Sequence, residues 1–484
     1  MHLSRRAMLR LLATGPLVAG CGLPAPASPA RPPAGQPATS VARGPSATRA
    51  PRTIQIVVGF GTGNAPPQLP VQEELATAYT DRRRGEVRIE YLRVASSTEG
   101  RQRLPEWIAT GQPPDIVLPS GRFGIFALAD QDLWLDLSPF FRQTGLTLSI
   151  YPQAVQEAAQ ALGFYPGPGQ IIGLPAGFHT HTLAFNKDLF ARAKLPEPPP
   201  QWNTPEWTYA KLRELAMKLT LDGAGRNATE PGFDPKAIVQ WGLGNFFPTT
   251  IWYAYGGRRY DPRTRQVRFD DPEAALGVRF AADLATRDRA LLIDAIATRL
   301  AGPNGQRALW RSGKVAMVDM CSCELAGYGD ITGFRWDVAA IPKGPKRLFN
   351  FLNVDVGSLV KAGRDHATAW DVLKFMTLDE PNARHLQIDS YGAIPARIDS
   401  QAAFKEVLAS RFPGVNAQLF LDAIPYAGGD NEDWVPNYAQ VRALQNEAFD
   451  RLLKGETAVD EELPRLQADA QKAIDEWLAK FGRG

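Results

Sequence analysis

The chain has 484 residues, of which 22% are charged and 44% hydrophobic, and its formal net charge is +3. This length exceeds one ordinary core and predicts two or three domains, while the composition excludes wholesale disorder, a collagen-like repeat and a polytopic membrane protein. Residues 1–52 carry seven arginines and no acidic residue. The rest of the chain is therefore mildly acidic, and we expect no nucleic-acid partner.

Residues 1–20 have the features of an export signal. A basic start is followed by a short apolar run at 11–19, which is too short to span a bilayer but suits a secretory signal. The run ends in LVAGC, and this sequence resembles the lipobox of bacterial lipoproteins. The resemblance implies cleavage before Cys21 and lipidation of that cysteine, which would attach the protein to the membrane.

The arginine pair Arg5 and Arg6 resembles the twin-arginine export signal, although the sequence departs from it at Met8 and Arg10. An ordinary secretory signal is the alternative. Residues 22–52 are Pro, Ala, Ser, Thr and Gly almost throughout and contain no aromatic residue, a composition that cannot bury a core. We therefore expect a lipidated cysteine and a disordered tether that holds the folded body at the extracytoplasmic face of the cell membrane.

The body of the chain alternates strand and helix patterns. Short β-branched or apolar runs predict strands at 53–58, 87–92 and 115–119, with helical patterns at 71–79 and 100–111. The glycines after the first strand do not form a dinucleotide fingerprint, because Asn64 replaces the last glycine. Residues 439–481 are nearly all helical by pattern. This order predicts an α/β fold with a mostly parallel sheet and ligands at the carboxyl ends of its strands.

Six segments in the right order resemble the extracellular solute-binding proteins of carbohydrate ABC importers, a maltose-binding-protein-like family. The first contains PPDIVLPSGRFGIFALADQDLWLDLSPFF and the second GLPAGFHTHTLAFNKDLFARAKLPEPPPQW. The segments are 111–141, 169–220, 310–320, 336–345, 357–377 and 391–397. Together they extend over nearly all of residues 53–484.

The resemblance implies a two-lobed periplasmic-binding-protein type II fold with discontinuous lobes and an interlobe ligand cleft. We place lobe one at 53–174 plus 346–393 and lobe two at 175–345 plus 394–484. The crossings between lobes are expected near Leu174-Pro175, at 341–350 and near Ile394-Pro395.

The function that this family implies is binding without catalysis. The protein would capture a sugar or oligosaccharide by hinge closure and deliver it, as a monomer, to the permease subunits of an ABC importer. A non-sugar solute (peptide, polyamine or polyol phosphate) on the same scaffold is the main alternative. A secreted glycosidase is a weaker one, since the sequence contains neither a G-x-S-x-G nucleophile elbow nor an H-E-x-x-H motif.

Sugar sites combine aromatic platforms with hydroxyl-binding polar groups, and candidates of both kinds follow predicted strands. The lobe-one candidates are Thr62, Asn64, Ser120, Arg122, Asn353, Asp355 and Tyr391. The lobe-two candidates are Phe178, His179, Trp252, Tyr253, Glu324 and Trp434. Cys323 stands where the family commonly has a tryptophan, so one stacking platform is lost, and Glu324 is expected to accept hydroxyl hydrogens nearby.

Cys321 and Cys323 are too close in sequence for an easy intramolecular bridge, and two thiolates alone do not complete a zinc site. We expect reduced, partly buried thiols. His179 and His181 would share one face of a strand, but no histidine-rich loop accompanies them. We therefore expect no metal and no cofactor.

Overall fold

The computed structural model describes residues 50–121, 124–125, 127–128, 131–159, 170–246, 248–327, 331–428 and 435–480. The export signal with Arg5 and Arg6, the lipidation position Cys21 and most of the tether lie outside the described residues. Arg122 and Trp434 also lie outside them. Among the helices that the structure describes, none is long and apolar enough to cross a membrane.

The described ranges contain sixteen strands and sixteen α-helices. The strands are β1 Arg52–Val58, β2 Val87–Arg93, β3 Ile116–Val117, β4 Leu174–His179, β5 His181–Asn186, β6 Leu221–Asp222, β7 Ile238–Gly244, β8 Tyr260–Asp261, β9 Gln266–Val267, β10 Leu291–Leu292, β11 Val315–Cys321, β12 Trp336–Ala339, β13 Asn350–Phe351, β14 Asn353–Leu359, β15 Ile394–Pro395 and β16 Ala427–Gly428. The helices are α1 Leu69–Arg82, α2 Ser97–Ala109, α3 Ser138–Thr144, α4 Gln153–Ala159, α5 Lys187–Ala193, α6 Tyr209–Leu219, α7 Pro248–Ala254, α8 Pro272–Thr286, α9 Asp294–Ala301, α10 Gly305–Arg311, α11 His366–Thr377, α12 Asn382–Arg384, α13 Gln401–Arg411, α14 Gln418–Asp422, α15 Tyr438–Lys454 and α16 Val459–Lys480. A short 3₁₀ helix at Ser322–Gly327 follows β11 directly.

Two sheets organise the body. The first has the strand order β15-β4-β14-β3-β1-β2, and the second has β10-β7-β11-β5-β12. In the first sheet β1 is parallel to β2 and β3, whereas β14 is antiparallel to β3 and β4. In the second, β11 is parallel to β7 and antiparallel to β5. The predicted α/β class is confirmed, and we call the elements built on these sheets lobe one and lobe two.

Burial explains why the sheets form. The β-branched run of β1 buries its last three residues, and every residue of β4, β5 and β11 is buried. Continuous apolar strands of this kind belong in the centre of a sheet that is covered on both faces. Helix α6 begins at Tyr209, directly after Thr208, whose side chain accepts a capping hydrogen bond from Lys211 N. The helix packs its buried Leu212, Leu215 and Leu219 towards the sheet of lobe two.

The chain first passes from one sheet to the other at Thr180, between β4 and β5, and not at Leu174-Pro175 as the sequence predicts. A proline usually ends a strand, which is why the sequence suggests a crossing at Pro175. In the structure Pro175 pairs with Val356 beside a register shift of β14, so it fits inside the sheet. As a result Phe178 and His179 belong to a lobe-one strand, and our placement of them in lobe two is wrong. The later crossings lie between β12 and β14 and after β15.

The two C-terminal helices are joined by a buried carboxylate. The Glu462 side chain has no exposed surface, and Arg451 Nη2 donates to its Oε1 at 2.6 Å while Arg465 donates to its Oε2. Burial raises the pKa of Glu462, but the hydrogen bonds from the two guanidinium groups outweigh it, so the pKa lies below the ordinary glutamate value. The ionised form therefore stabilises the folded state.

We expect Glu462→Gln to lower the free energy of unfolding at neutral pH by about 1–3 kcal/mol, because two charge-assisted hydrogen bonds weaken. The folded-state pKa is depressed, so the contribution is complete above the unfolded value of about 4.3 and is lost as the pH falls through the folded value. Urea unfolding of both proteins at about pH 7 and about pH 3 should give a smaller difference at the lower pH. An equal difference at both would contradict the ion-pair role.

Candidate functional site

A cavity of about 460 Å³ opens on lobe two, where the ends of β5, β7 and β11 meet α15, the crossing strand β13 and the first residue of β14 of lobe one. This volume lies in the range that accommodates small organic ligands. Its polar lining residues include His181, Asn245, Arg259, Asp294, Gln306, Glu324, Asn353, Arg442, Asn446 and Asp450, and its aromatic ones are Phe246, Phe351 and Phe449. We call it the lobe-two cavity.

The turn after β7 brings amide groups to the cavity wall. Asn245 has φ +46°, a left-handed conformation that asparagine tolerates better than most residues. Its backbone N donates to Gln306 Oε1 at 3.1 Å, and its Nδ2 donates to the Asp319 carbonyl at 3.0 Å. The loop between β7 and α7 is thereby fixed to α10 and β11, at the carboxyl end of the parallel pair β7 and β11.

A buried imidazole–carboxylate pair lies beside it. His181 Nδ1 is 2.5 Å from Asp319 Oδ1, and the Asp319 side chain has no exposed surface. A carboxylate accepts only, so Nδ1 donates and Nε2 presents its lone pair to Asn353 Nδ2 at 3.4 Å. Asn353 Oδ1 has no hydrogen-bond partner within the described residues. The pair fixes one edge of His181 and leaves an unmatched acceptor on a residue of the cavity wall.

The segment after β11 departs from our expectation, because Cys321 and Cys323 are joined as a disulfide and are not free thiols. The 3₁₀ turn that begins at Ser322 folds the chain back on itself, which sets the two Cα atoms 5.1 Å apart, within bridging reach. Sequence spacing alone does not show this turn. Both cysteines lie on the cavity wall.

Glu324 supplies the carboxylate of this wall. Its Oε2 accepts from the Cys321 backbone N at 3.3 Å, and its Oε1 is 3.6 Å from Arg307 Nη2. Burial raises the pKa of Glu324 above its ordinary value, although nearby His181 and Arg307 oppose the rise. Two of the residues predicted from sequence, Glu324 and Asn353, therefore line the same cavity.

His179 and Asp355 lie at the crossing between the sheets. His179 Nε2 is 3.2 Å from Asp355 Oδ2 in lobe one, and its Nδ1 is 3.1 Å from Ser322 Oγ in lobe two. The neighbouring Thr180 donates its hydroxyl hydrogen to the Phe420 carbonyl at 2.7 Å. The His179 bonds therefore connect lobe one to lobe two at the crossing, where a hinge between the lobes would lie.

The remaining lobe-one candidates organise their own lobe. Ser120 bonds to Val356 and Ser358, Thr62 accepts from Gln68, and Asn64 donates to the Val94 carbonyl. Tyr391 is buried and donates to the Leu118 carbonyl, and burial raises its pKa far above the ordinary value. Phe178 is fully buried.

Trp252 and Tyr253 are also in the core, which corrects their expected place as sugar platforms. Trp252 is 0% exposed and packs against Tyr253, Phe269 and Phe449 with ring centroids 5.0, 5.5 and 6.4 Å away. Tyr253 is stacked on Phe349 at 4.6 Å. Neither ring offers a free face in this conformation, and the aromatic surface of the cavity comes from Phe246, Phe351 and Phe449.

Several residues of the cavity wall were not predicted from sequence. Asn245 and Phe246 directly follow the strand Ile238–Gly244. Because ligand residues are expected after the ends of strands, this position could have identified them from the sequence. Arg442 and Asn446 lie on α15 and carry no local signal of binding. They reach the cavity only because α15 packs on lobe two.

The fold and cavity define a two-lobed α/β protein whose chain crosses repeatedly between two sheets. Residues 65–383 match the family of bacterial extracellular solute-binding proteins, and the chain belongs to that family. Its members are extracytoplasmic binding proteins and not enzymes. A search of curated protein sequences gives no match.

Solved structures of similar fold cover most of the chain. The ABC substrate-binding protein Lmo0181 from Listeria monocytogenes, solved with cycloalternan, has a TM-score of 0.70 at 16% identity and covers 88% of this chain and 99% of its own. UspC of M. tuberculosis has a TM-score of 0.65 at 22% identity and covers 87% of this chain and 100% of its own. The GacH receptor of Streptomyces glaucescens, solved unliganded and with acarbose, gives 0.66 at 17% identity, covering 89% and 100%. At these identities the likeness establishes the shared fold.

Proposed function

We propose that this chain is the substrate-binding component of an ABC importer, which captures a sugar or oligosaccharide in the lobe-two cavity and delivers it to the permease. The carrying observation is the composition of that cavity. Glu324, Asn353 and Asn446 can exchange hydrogen bonds with hydroxyl groups, while three phenylalanines supply apolar surface for the C–H faces of a sugar ring. The solved relatives named above with cycloalternan and with acarbose support a carbohydrate ligand.

Hinge closure follows from the position of the cavity. Asn353 begins β14 of lobe one, Phe351 lies on the crossing strand β13, and the other walls come from lobe two. A ligand that contacts both Asn353 and the lobe-two wall makes more contacts in the closed form and shifts the population towards it. The permease would then recognise the closed shape.

A thermal-shift screen of the purified protein tests the ligand class. Maltose, mannotriose and acarbose are compared with a tripeptide, spermidine and glycerol 3-phosphate. We expect a saturable rise in melting temperature with at least one carbohydrate, since a ligand at 100 times its Kd stabilises by about 2.7 kcal/mol. A rise with only a non-sugar solute would replace the carbohydrate assignment, and cleavage of the oligosaccharides would favour a glycosidase.

Glu324→Gln is expected to weaken carbohydrate binding by roughly 10–100-fold, because hydrogen bonds to a charged group contribute about 1.5–3 kcal/mol. Isothermal titration with the best carbohydrate of the screen measures the affinity. The matched control is Glu106→Gln on the exposed side of α2, which should bind as the wild type does. An affinity of Glu324→Gln within about twofold of the wild type, which corresponds to less than one such hydrogen bond, would remove Glu324 from the site.

We further propose that the mature protein is a monomer anchored through lipidated Cys21 after twin-arginine export. A lipoprotein anchor needs more than one acyl chain for stable attachment. The protein from its native host should therefore partition into the detergent phase, and Cys21→Ser should move it to the aqueous phase. Cys323→Ser is the matched cysteine control and should remain in the detergent phase. If Cys21→Ser also stays there, the anchor lies elsewhere.

A further inference from the structure

Three side chains with soft or borderline ligand atoms meet where the chain crosses between the sheets. His179 ends β4 of lobe one, Cys321 ends β11 of lobe two, and Cys323 lies in the turn that follows. One ligand atom of each lies within 4.8 Å of the other two. We propose that reduction of the Cys321–Cys323 disulfide converts this cluster into a zinc site that connects the two lobes.

The separation suits such a site. Zinc bonds of about 2.0–2.3 Å in tetrahedral geometry place neighbouring ligand atoms about 3.5–3.8 Å apart. The two sulfur atoms, which are bonded to each other in the disulfide, must therefore move apart to this spacing, and reduction of the S–S bond permits it. The His179 nitrogen, within 4.8 Å of both, needs at most a small closing movement. His179 and Cys321 are almost fully buried, at 4% and 5% exposure, and Cys323 is exposed. The cluster thus has two fixed ligands and one adaptable ligand.

The imidazole of His179 is oriented as in a metal ligand. Asp355 accepts a hydrogen bond from Nε2, so the proton is on Nε2 and the lone pair is on Nδ1. Nδ1 accepts from Oγ of Ser322, the residue between the two cysteines, at 3.1 Å, and a bound zinc ion would replace that hydroxyl hydrogen bond. A carboxylate that holds the far nitrogen of a histidine is the usual second partner at zinc centres, where it fixes the tautomer and raises the basicity of the ligand.

The ligand types select the metal. Thiolate and imidazole suit zinc and other soft or borderline metals, whereas calcium and magnesium require oxygen ligands. Two thiolates balance the charge of Zn²⁺ at a site where two of the three ligands are buried. Three protein ligands leave the fourth position for water, and this position is near the lobe-two cavity because both cysteines lie on its wall.

Redox state controls the site. In the disulfide the two sulfur atoms are bonded to each other and are not thiolates. A dithiol reductant transfers two electrons and two protons by exchange, giving two cysteine thiols and the cyclic disulfide of the reductant. Zinc then displaces both thiol protons, so binding releases two protons per ion.

The test uses the full chain with Cys21→Ser in every sample, so that the third cysteine does not contribute. One portion stays oxidised and another is reduced with dithiothreitol, which is then removed under anaerobic conditions. Zn²⁺ is titrated in competition with a chromophoric chelator, and Co²⁺ replaces it for spectroscopy. We expect one ion per reduced chain, a sulfur-to-cobalt charge-transfer band, and no such binding by the oxidised chain.

Variants assign the ligands. Cys323→Ser, at an exposed position, and His179→Gln should each lose the high-affinity ion, and Asp355→Asn should weaken it by about 10–100-fold. His385→Gln is the matched histidine control on the surface and should bind as the reduced parent does. Equal zinc binding by reduced and oxidised chains, or by Cys323→Ser and the parent, would overturn the proposal.

Circular dichroism separates misfolding from ligand loss. A folded His179→Gln chain that keeps the parental zinc affinity and cobalt spectrum would also overturn the proposal. If that variant does not fold, the cobalt spectrum of the reduced parent and the Cys323→Ser titration decide. No sugar is used in these experiments, so their failure leaves the proposed transport function unaffected.

Discussion

Replacing Trp252 by alanine is expected to lower the free energy of unfolding by about 3–5 kcal/mol, the usual effect of removing a large aromatic side chain from a core. The indole ring is 0% exposed and is surrounded by Tyr253, Phe269 and Phe449. A Cβ atom at Gly257 would stand only 2.3 Å from the ring, so backbone also closes around it. The surrounding side chains and backbone therefore cannot easily relax to fill the cavity that alanine leaves.

Urea unfolding of wild type, Trp252→Ala and Trp107→Ala measures this effect. Trp107 is only half-buried, on α2 beside Arg103, and is the matched tryptophan control. Trp107→Ala should lower the free energy of unfolding by clearly less, below about 2 kcal/mol. Trp252→Ala with wild-type stability but at least tenfold weaker carbohydrate binding would instead return Trp252 to the ligand site.

Local pattern was sufficient for much of the architecture. The predicted strands at 53–58 and 87–92 correspond to β1 Arg52–Val58 and β2 Val87–Arg93. The helical pattern near the C-terminus corresponds to α15 and α16. Such features depend on residues that are neighbours in the chain, so periodicity and turn residues report them directly. The order of family motifs then supplied the two-lobed topology.

Packing between distant segments was not visible in the same way. The run FFPTTIWYAYGG contains Phe, Ile, Trp and Tyr side chains. Its local sequence does not show that Trp252 is buried in the core whereas Phe246 lines the cavity. The distinction depends on Phe449 of α15, which lies almost two hundred residues further along the chain. The disulfide likewise depends on a turn that sequence spacing does not encode.

His181→Ala is expected to lower the free energy of unfolding by about 3–5 kcal/mol, because it leaves a buried carboxylate without its partner. Asp319 lies 138 positions away in sequence, has no exposed side-chain surface, and accepts from His181 at 2.5 Å. Its second oxygen, Oδ2, has no hydrogen-bond partner within the described residues. Removal of the imidazole therefore leaves both oxygens of Asp319 unsatisfied.

A double-mutant cycle with Asp319→Asn separates this electrostatic cost from simple loss of packing. In the His181→Ala background the amide removes the buried charge, so the double variant should recover about 1–3 kcal/mol relative to His181→Ala alone. His385→Ala, at a partly exposed histidine that pairs with Glu74 and Asp389 on the surface, is the control and should change stability by less than about 1 kcal/mol. Losses that simply add in the double variant would mean that the two side chains are independent. The stability lost in His181→Ala would then have to come from another contact of His181, such as its hydrogen bond with Asn353 at the cavity wall.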